Sequence, residues 1–156
     1  MKHGVSAIYD TMKYLNDAGV DIIPHIICGL ENGSIRYEET ALETVKQYSP
    51  AQLVIISLMP LPKTPLWGRT PPSAEEIAEI IVKARLMMPD TLQSLGCARQ
   101  RGDIKKEILA IDAGVNRMAI PSEEALEYAA ELGLEITYQK TCCSVSRPFY
   151  VEGWQA

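Results

Sequence analysis

Three stretches of this chain share one pattern: DAGVDII at 17–23, DAGVNRM at 112–118 and ELGLEIT at 131–137. In each, a helical segment runs into a glycine, then an apolar residue, then a candidate strand. A glycine just past the last helical residue takes the left-handed backbone that ends a helix. The recurrence predicts repeated α/β units, whose strands lie parallel because a helix carries the chain back between them.

The helices are legible from their apolar spacing and caps. Residues 6–18 place Ile8, Met12 and Leu15 on one face, and residues 37–48 do the same with Ala41, Leu42 and Val45. Ser73 and Glu76 have capping-box spacing and open a helix that reaches about Met88, before Pro89. Asp103 caps a helix through Asp112, and Pro121–Ser122 starts one through Glu131. Strands are expected at the apolar run from Ile22, at Gln52–Met59, Thr91–Leu95, Asn116–Ile120 and Glu135–Gln139. The first two are nearly continuous apolar runs, the pattern of strands buried on both faces. Residues 1–140 therefore form an α/β domain, and 141–156 an irregular C-terminal tail.

Four to five parallel βα units are too few for a closed barrel, which needs eight strands and about 250 residues. Half a barrel leaves the apolar inner face of its sheet uncovered and its edges unpaired. Either the sheet is open and covered on both sides, or the half closes against another polypeptide or a second copy of itself. With a net charge of −5 and a pI of about 5.1, the chain lacks the basic footprint of a nucleic-acid binder. No apolar run reaches membrane-span length, and the N-terminus has no signal-peptide pattern. Four cysteines in 156 residues lack disulfide-scaffold density, so a reducing cytoplasm is the expected setting.

Chemistry is expected at strand ends, where parallel α/β sheets bind ligands. Gly29, in the turn GLENG after the first strand, lets a backbone approach a ligand closely. His25 shares a face with Ile23, Ile27 and Gly29. It suits substrate orientation or proton transfer, or equally a hydrogen-bonded core position. Cys28 faces the other way as a small buried hydrophobe. In LGCARQRG, Arg99 and Arg101 stand where an anion or metal cluster could be met, or they form a solvated basic loop. Cys142 and Cys143 lack metal-binding CxxC spacing. The acidic clusters (Glu38, Glu39, Glu43; Glu75, Glu76, Glu79; Glu123, Glu124, Glu127) read as solvated helix faces. There is no GxGxxG, P-loop or GxSxG.

Taken together, three segments resemble a known family. HIICGLENG resembles the fifth-strand segment of radical S-adenosylmethionine enzymes. SLMPLPKTPLWG resembles the sixth-strand segment of their biotin-synthase-like branch. LGCARQRGDIKKEILAIDAGVNRMAIPSEE resembles that branch's C-terminal region. The likeness spans almost the whole chain but only the second half of the family's (βα)₈ TIM-type barrel. It implies a C-terminal half, as a fragment or split subunit. The [4Fe–4S] cluster, bound by CxxxCxxC in the family, would come from a missing N-terminal half, because that spacing does not occur here.

By the same resemblance, Ile27 packs on the adenine of S-adenosylmethionine, Gly29 is the close-approach glycine, and Leu58 and Met59 supply sixth-strand contacts. Arg99, 15 residues before Gly114, matches an arginine that ligates an auxiliary iron–sulfur cluster in biotin synthase, while Ile23 stands where a cysteine ligand of that cluster is expected. His25 and Asn32 depart from the fifth-strand motif, as do Ile56 and Lys63 from the sixth. A different substrate from biotin synthase proper is therefore expected. In a lipoyl-synthase-like setting, Cys97, Cys142 and Cys143 become auxiliary-cluster candidates. The implied activity is a share in hydrogen-atom abstraction from a small apolar substrate, with Arg99 and His25 as catalytic candidates. The competing reading is a cluster-free α/β domain that binds a ligand or partner without catalysis.

Overall fold

The computed structural model describes residues 4–145. Its elements in chain order are α1 (Val5–Asp17), β1 (His25–Cys28), α2 (Glu38–Lys46), β2 (Gln52–Ser57), α3 (Ala74–Met87), β3 (Leu92–Leu95), α4 (Ile104–Asp112), β4 (Arg117–Met118) and α5 (Glu123–Glu131). The strands form one all-parallel sheet in the order β1-β2-β3-β4. Four consecutive strands, each reached through a helix, make the α/β arrangement of half a barrel.

Local chemistry sets most boundaries. Ser73 and Glu76 make both hydrogen bonds of a capping box at the start of α3. Asp103 and Ser122 accept from the third amides of α4 and α5. Glycines 19, 114 and 133 adopt positive φ where the repeated motif placed them.

The helix-packed core lies on one face of the sheet, and on the other face Gln52, Val54 and Ser94 of the central strands are buried as well. Ile26, Cys28, Leu53, Ile55 and Leu95 point from the strands onto Leu42, Val45, Ile77, Ile80, Ile81, Ala84 and Ala110 of the helices. The expectation that β1 is buried on both faces is thus corrected: Ile26 and Cys28 are buried, whereas His25 and Ile27 are exposed. β1 is an edge strand with helices on one side only, so it alternates in burial, whereas the internal strand β2 is buried on both faces over Gln52–Ile55, as its apolar run predicts.

Two further expectations change. The run Glu135–Gln139 forms no strand, and the fourth strand shrinks to Arg117–Met118. Among the described residues the fourth strand pairs with β3 alone, and of the run Glu135–Gln139 only Gln139 makes a bridge. Helix α1 is amphipathic yet buries no residue; Ile8 is 51% and Leu15 38% exposed. Of the expected tail, 141–145 is irregular, and 146–156 lies outside the described residues.

Candidate functional site: the uncovered face of the sheet

The register aligns His25, Val54, Ser94 and Arg117 in one row across the four strands, on the face without helices. Towards the C-terminal ends, Ile27 pairs with Ile56, and Ile27 and Met59 are each 40% exposed. Leu58 is buried, and its N–H donates to the Cys28 carbonyl at 2.8 Å. The four residues matched to nucleoside contacts therefore sit at one end of the sheet, where Ile27 and Met59 present an apolar surface.

Gly29 is required there for a reason that involves the protein itself. Its φ is +89°, and a Cβ would fall 2.5 Å from the ring of Pro72. The close approach predicted for a ligand is made by the loop that follows β2. The turn is fixed by Glu38, which is buried rather than solvated. Its carboxylate accepts from the backbone N–H groups of Gly29 (2.8 Å), Arg36 (2.6 Å) and Tyr37 (2.9 Å). A carboxylate in the first turn of a helix is favoured by the helix dipole. That position directly after a glycine turn is the signal that sequence reading passed over. The other members of the acidic clusters are exposed as expected.

Arg99 is fully buried. Its Nε and Nη2 donate to Oε1 of Glu107 at 3.2 and 2.6 Å; Nη1 reaches the carbonyls of Gly96 and Ala119, each at 2.7 Å, and Nη2 that of Ile120 at 3.1 Å. Every N–H of the guanidinium is thereby directed at a protein acceptor. Burial alone would raise the Glu107 carboxyl, but the Ser122 N–H and the Arg99 guanidinium outweigh it and hold the pKa below the usual glutamate value. The pair ties the loop after β3 to α4 and to the loop after β4. Arg101 is exposed and also reaches the Ile120 carbonyl, at 3.1 Å.

At the opposite, N-terminal end of the strands, the chain crosses the uncovered face. Gln52 donates to the Cys143 carbonyl at 2.6 Å, Arg117 to the Val145 carbonyl at 2.8 Å and to Gln52 at 2.9 Å. Ser144 Oγ lies 3.0 Å from His25 Nε2, while His25 Nδ1 meets the Ile23 carbonyl at 3.2 Å. Because that carbonyl only accepts, Nδ1 carries a proton. Cys97, Cys142 and Cys143 line a common cavity of about 840 Å³, between β4, α5 and residues 134–143. Cys28 is apart from them, and burial pushes its thiol up to about 12.

The sequence that folds into these strands, caps and loops matches a known module. The Biotin and Thiamin Synthesis associated domain model matches residues 54–155. The chain belongs to that family. Biotin synthase of Zymomonas mobilis is 30% identical over 73% of this chain and 34% of its own length. That of Pelotomaculum thermopropionicum is 27% identical over 86% and 44%, and that of Leptothrix cholodnii 31% over 69% and 31%. The chain thus spans between about a third and under half of the curated relatives it matches, in agreement with a biotin-synthase-like C-terminal half. The family match starts inside β2, so β1 and its glycine turn precede it.

Among the described residues, no three His, Cys, Asp or Glu side chains are grouped so as to hold a metal ion. Cys97, Cys142 and Cys143 share a cavity without forming such a group. No helix among the described residues is long and apolar enough to cross a membrane.

Proposed function

We propose that this chain supplies the C-terminal half of a radical S-adenosylmethionine enzyme, binding the nucleoside at the C-terminal ends of β1 and β2. The observation that carries the reading is the one-sided sheet of a biotin-synthase-associated domain, whose uncovered face ends in the apolar pair Ile27 and Met59. Ile27 packs against the adenine, Gly29 keeps the turn open, and Leu58 and Met59 border the base. The cofactor, with an iron–sulfur cluster held by another half, supplies the radical. This chain's residues position the nucleoside and exclude water from a small apolar substrate. Ser94 adds a polar group: its hydroxyl is buried on this face with no partner among the described residues.

In this reading Arg99 acts as a positioning residue, fixing the loops after β3 and β4. The test is anaerobic mixing with a polypeptide that carries CxxxCxxC and a reconstituted [4Fe–4S] cluster. The mixture is expected to bind S-adenosylmethionine and cleave it reductively, and Ile27→Asp is expected to weaken binding at least about tenfold, or ~1.4 kcal/mol. A mixture that stays dissociated, or binds no S-adenosylmethionine, overturns the reading in favour of a non-catalytic binding domain.

A further inference from the structure

Cys142, Ser144 and His25 form a continuous chain of hydrogen-bonding groups. Cys142 Sγ lies 3.5 Å from Ser144 Oγ, which lies 3.0 Å from His25 Nε2. The ring is oriented by the Ile23 carbonyl at Nδ1, which leaves Nε2 of the neutral imidazole as an acceptor. A thiol proton can therefore pass to the Ser144 oxygen while the Ser144 proton passes to Nε2. The ionised state is matched in turn, with Nε2–H donating to Oγ and Oγ–H to the thiolate. Cys142 is exposed and borders the 840 Å³ cavity, so a small molecule can reach the sulfur.

We propose that Cys142 is a reactive thiol that undergoes exchange with low-molecular-weight disulfides, with Ser144 and His25 as its proton relay. The site is independent of the nucleoside reading, which uses the other end of the strands. In the exchange, the Cys142 thiolate attacks one sulfur of R–S–S–R, forming the Cys142 Sγ–S bond of Cys142–S–S–R and breaking the S–S bond of the small disulfide. The second sulfur leaves as R–S⁻ and takes up the proton held by His25. Cys142 is thereby oxidised to the mixed disulfide and half of the small disulfide is reduced to R–SH.

The other cysteines differ in just the properties that matter. Hydrogen bonds from the Ser144 backbone and hydroxyl lower the Cys142 thiol from its ordinary value, whereas burial and the neighbouring Cys142 raise Cys143. Cys28 is buried and its thiol is raised strongly. Cys97 is exposed, and among the described residues no base is hydrogen-bonded to it.

The test is site-resolved labelling of the native chain with dithiodipyridine, read by rapid quench and peptide mass spectrometry. Cys142 is expected to react first of the four. Ser144→Ala and His25→Asn are each expected to slow Cys142 by about threefold for every unit by which its acidity falls back. Ser144→Thr, which keeps the hydroxyl, is expected to restore the rate. Mere loosening of residues 141–145 would instead speed Cys142 and Cys143 together, and that result overturns the relay. So does a Cys142 rate no higher than that of Cys97, or one indifferent to Ser144→Ala and His25→Asn.

Discussion

Nη2 of Arg99 sits 2.6 Å from Oε1 of Glu107, and both side chains are almost wholly buried. Removing one partner leaves the other charge in a site with no water to receive it. Arg99→Met is therefore expected to destabilise the chain by about 3–5 kcal/mol. Replacing both, as Arg99→Met with Glu107→Leu, is expected to recover part of that loss. Urea unfolding with an unchanged m-value is the measurement.

The same pair predicts an acid limb. Because the folded pKa of Glu107 is lowered, the unfolded chain takes up its proton first as pH falls. Its contribution is complete above the unfolded value and is lost as pH drops through the folded one. Wild-type stability is expected to fall below about pH 4.3, the ordinary glutamate value, and Glu107→Gln to flatten part of that slope. Equal slopes in the two proteins would contradict the assignment.

At Gly29 two constraints coincide, a φ of +89° and the Pro72 ring in the place of a Cβ. Gly19 has a similar φ with no atom nearby. Gly19→Ala is expected to cost about 1 kcal/mol from backbone strain alone. Gly29→Ala is expected to cost more, with a shift in the amide resonances of Pro72's neighbours. Equal costs would show that Pro72 gives way freely.

Glu38 organises three backbone amides at once. Glu38→Ala leaves all three without their acceptor and is expected to cost about 1–3 kcal/mol. Hydrogen exchange at Gly29, Arg36 and Tyr37 should rise by a larger factor than in α3, which shares no hydrogen bond with this turn.

Uncovered apolar surface predicts association. Helix α1 buries nothing, and Ile27 and Met59 are open on the sheet. The chain by itself is expected to self-associate at micromolar concentration, and Ile8→Glu with Ile27→Asp to shift it towards monomer. Sedimentation equilibrium of both proteins decides this. A wild-type monomer at high concentration would mean that the open face is tolerated in water.

The architecture was readable because its signals are local. Caps at Ser73, Asp103 and Ser122, and the glycines at 19, 114 and 133, act within a few residues of themselves. Strand burial was less readable. The run at His25–Cys28 is apolar on both faces, yet the helices cover only one, and nothing in four residues says which face lacks a partner. Glu135–Gln139 failed as a strand for a related reason, since a strand exists only when another strand satisfies its amides.

The candidate sites divide in the same way. Sequence resemblance brought Ile27, Gly29, Leu58 and Met59 together, and they do lie at one end of the sheet. It could not reveal that the guanidinium of Arg99 is spent on Glu107 and three carbonyls, or that Glu38 is interior. Nor could it join His25 to Ser144 across 119 residues. By itself, then, the sequence determined the order of helices and parallel strands, because propensity, capping and turn chemistry are properties of neighbouring residues. Only the tertiary structure decided which charges are buried, which face is open and which thiol meets a base, because those depend on groups brought together by packing alone.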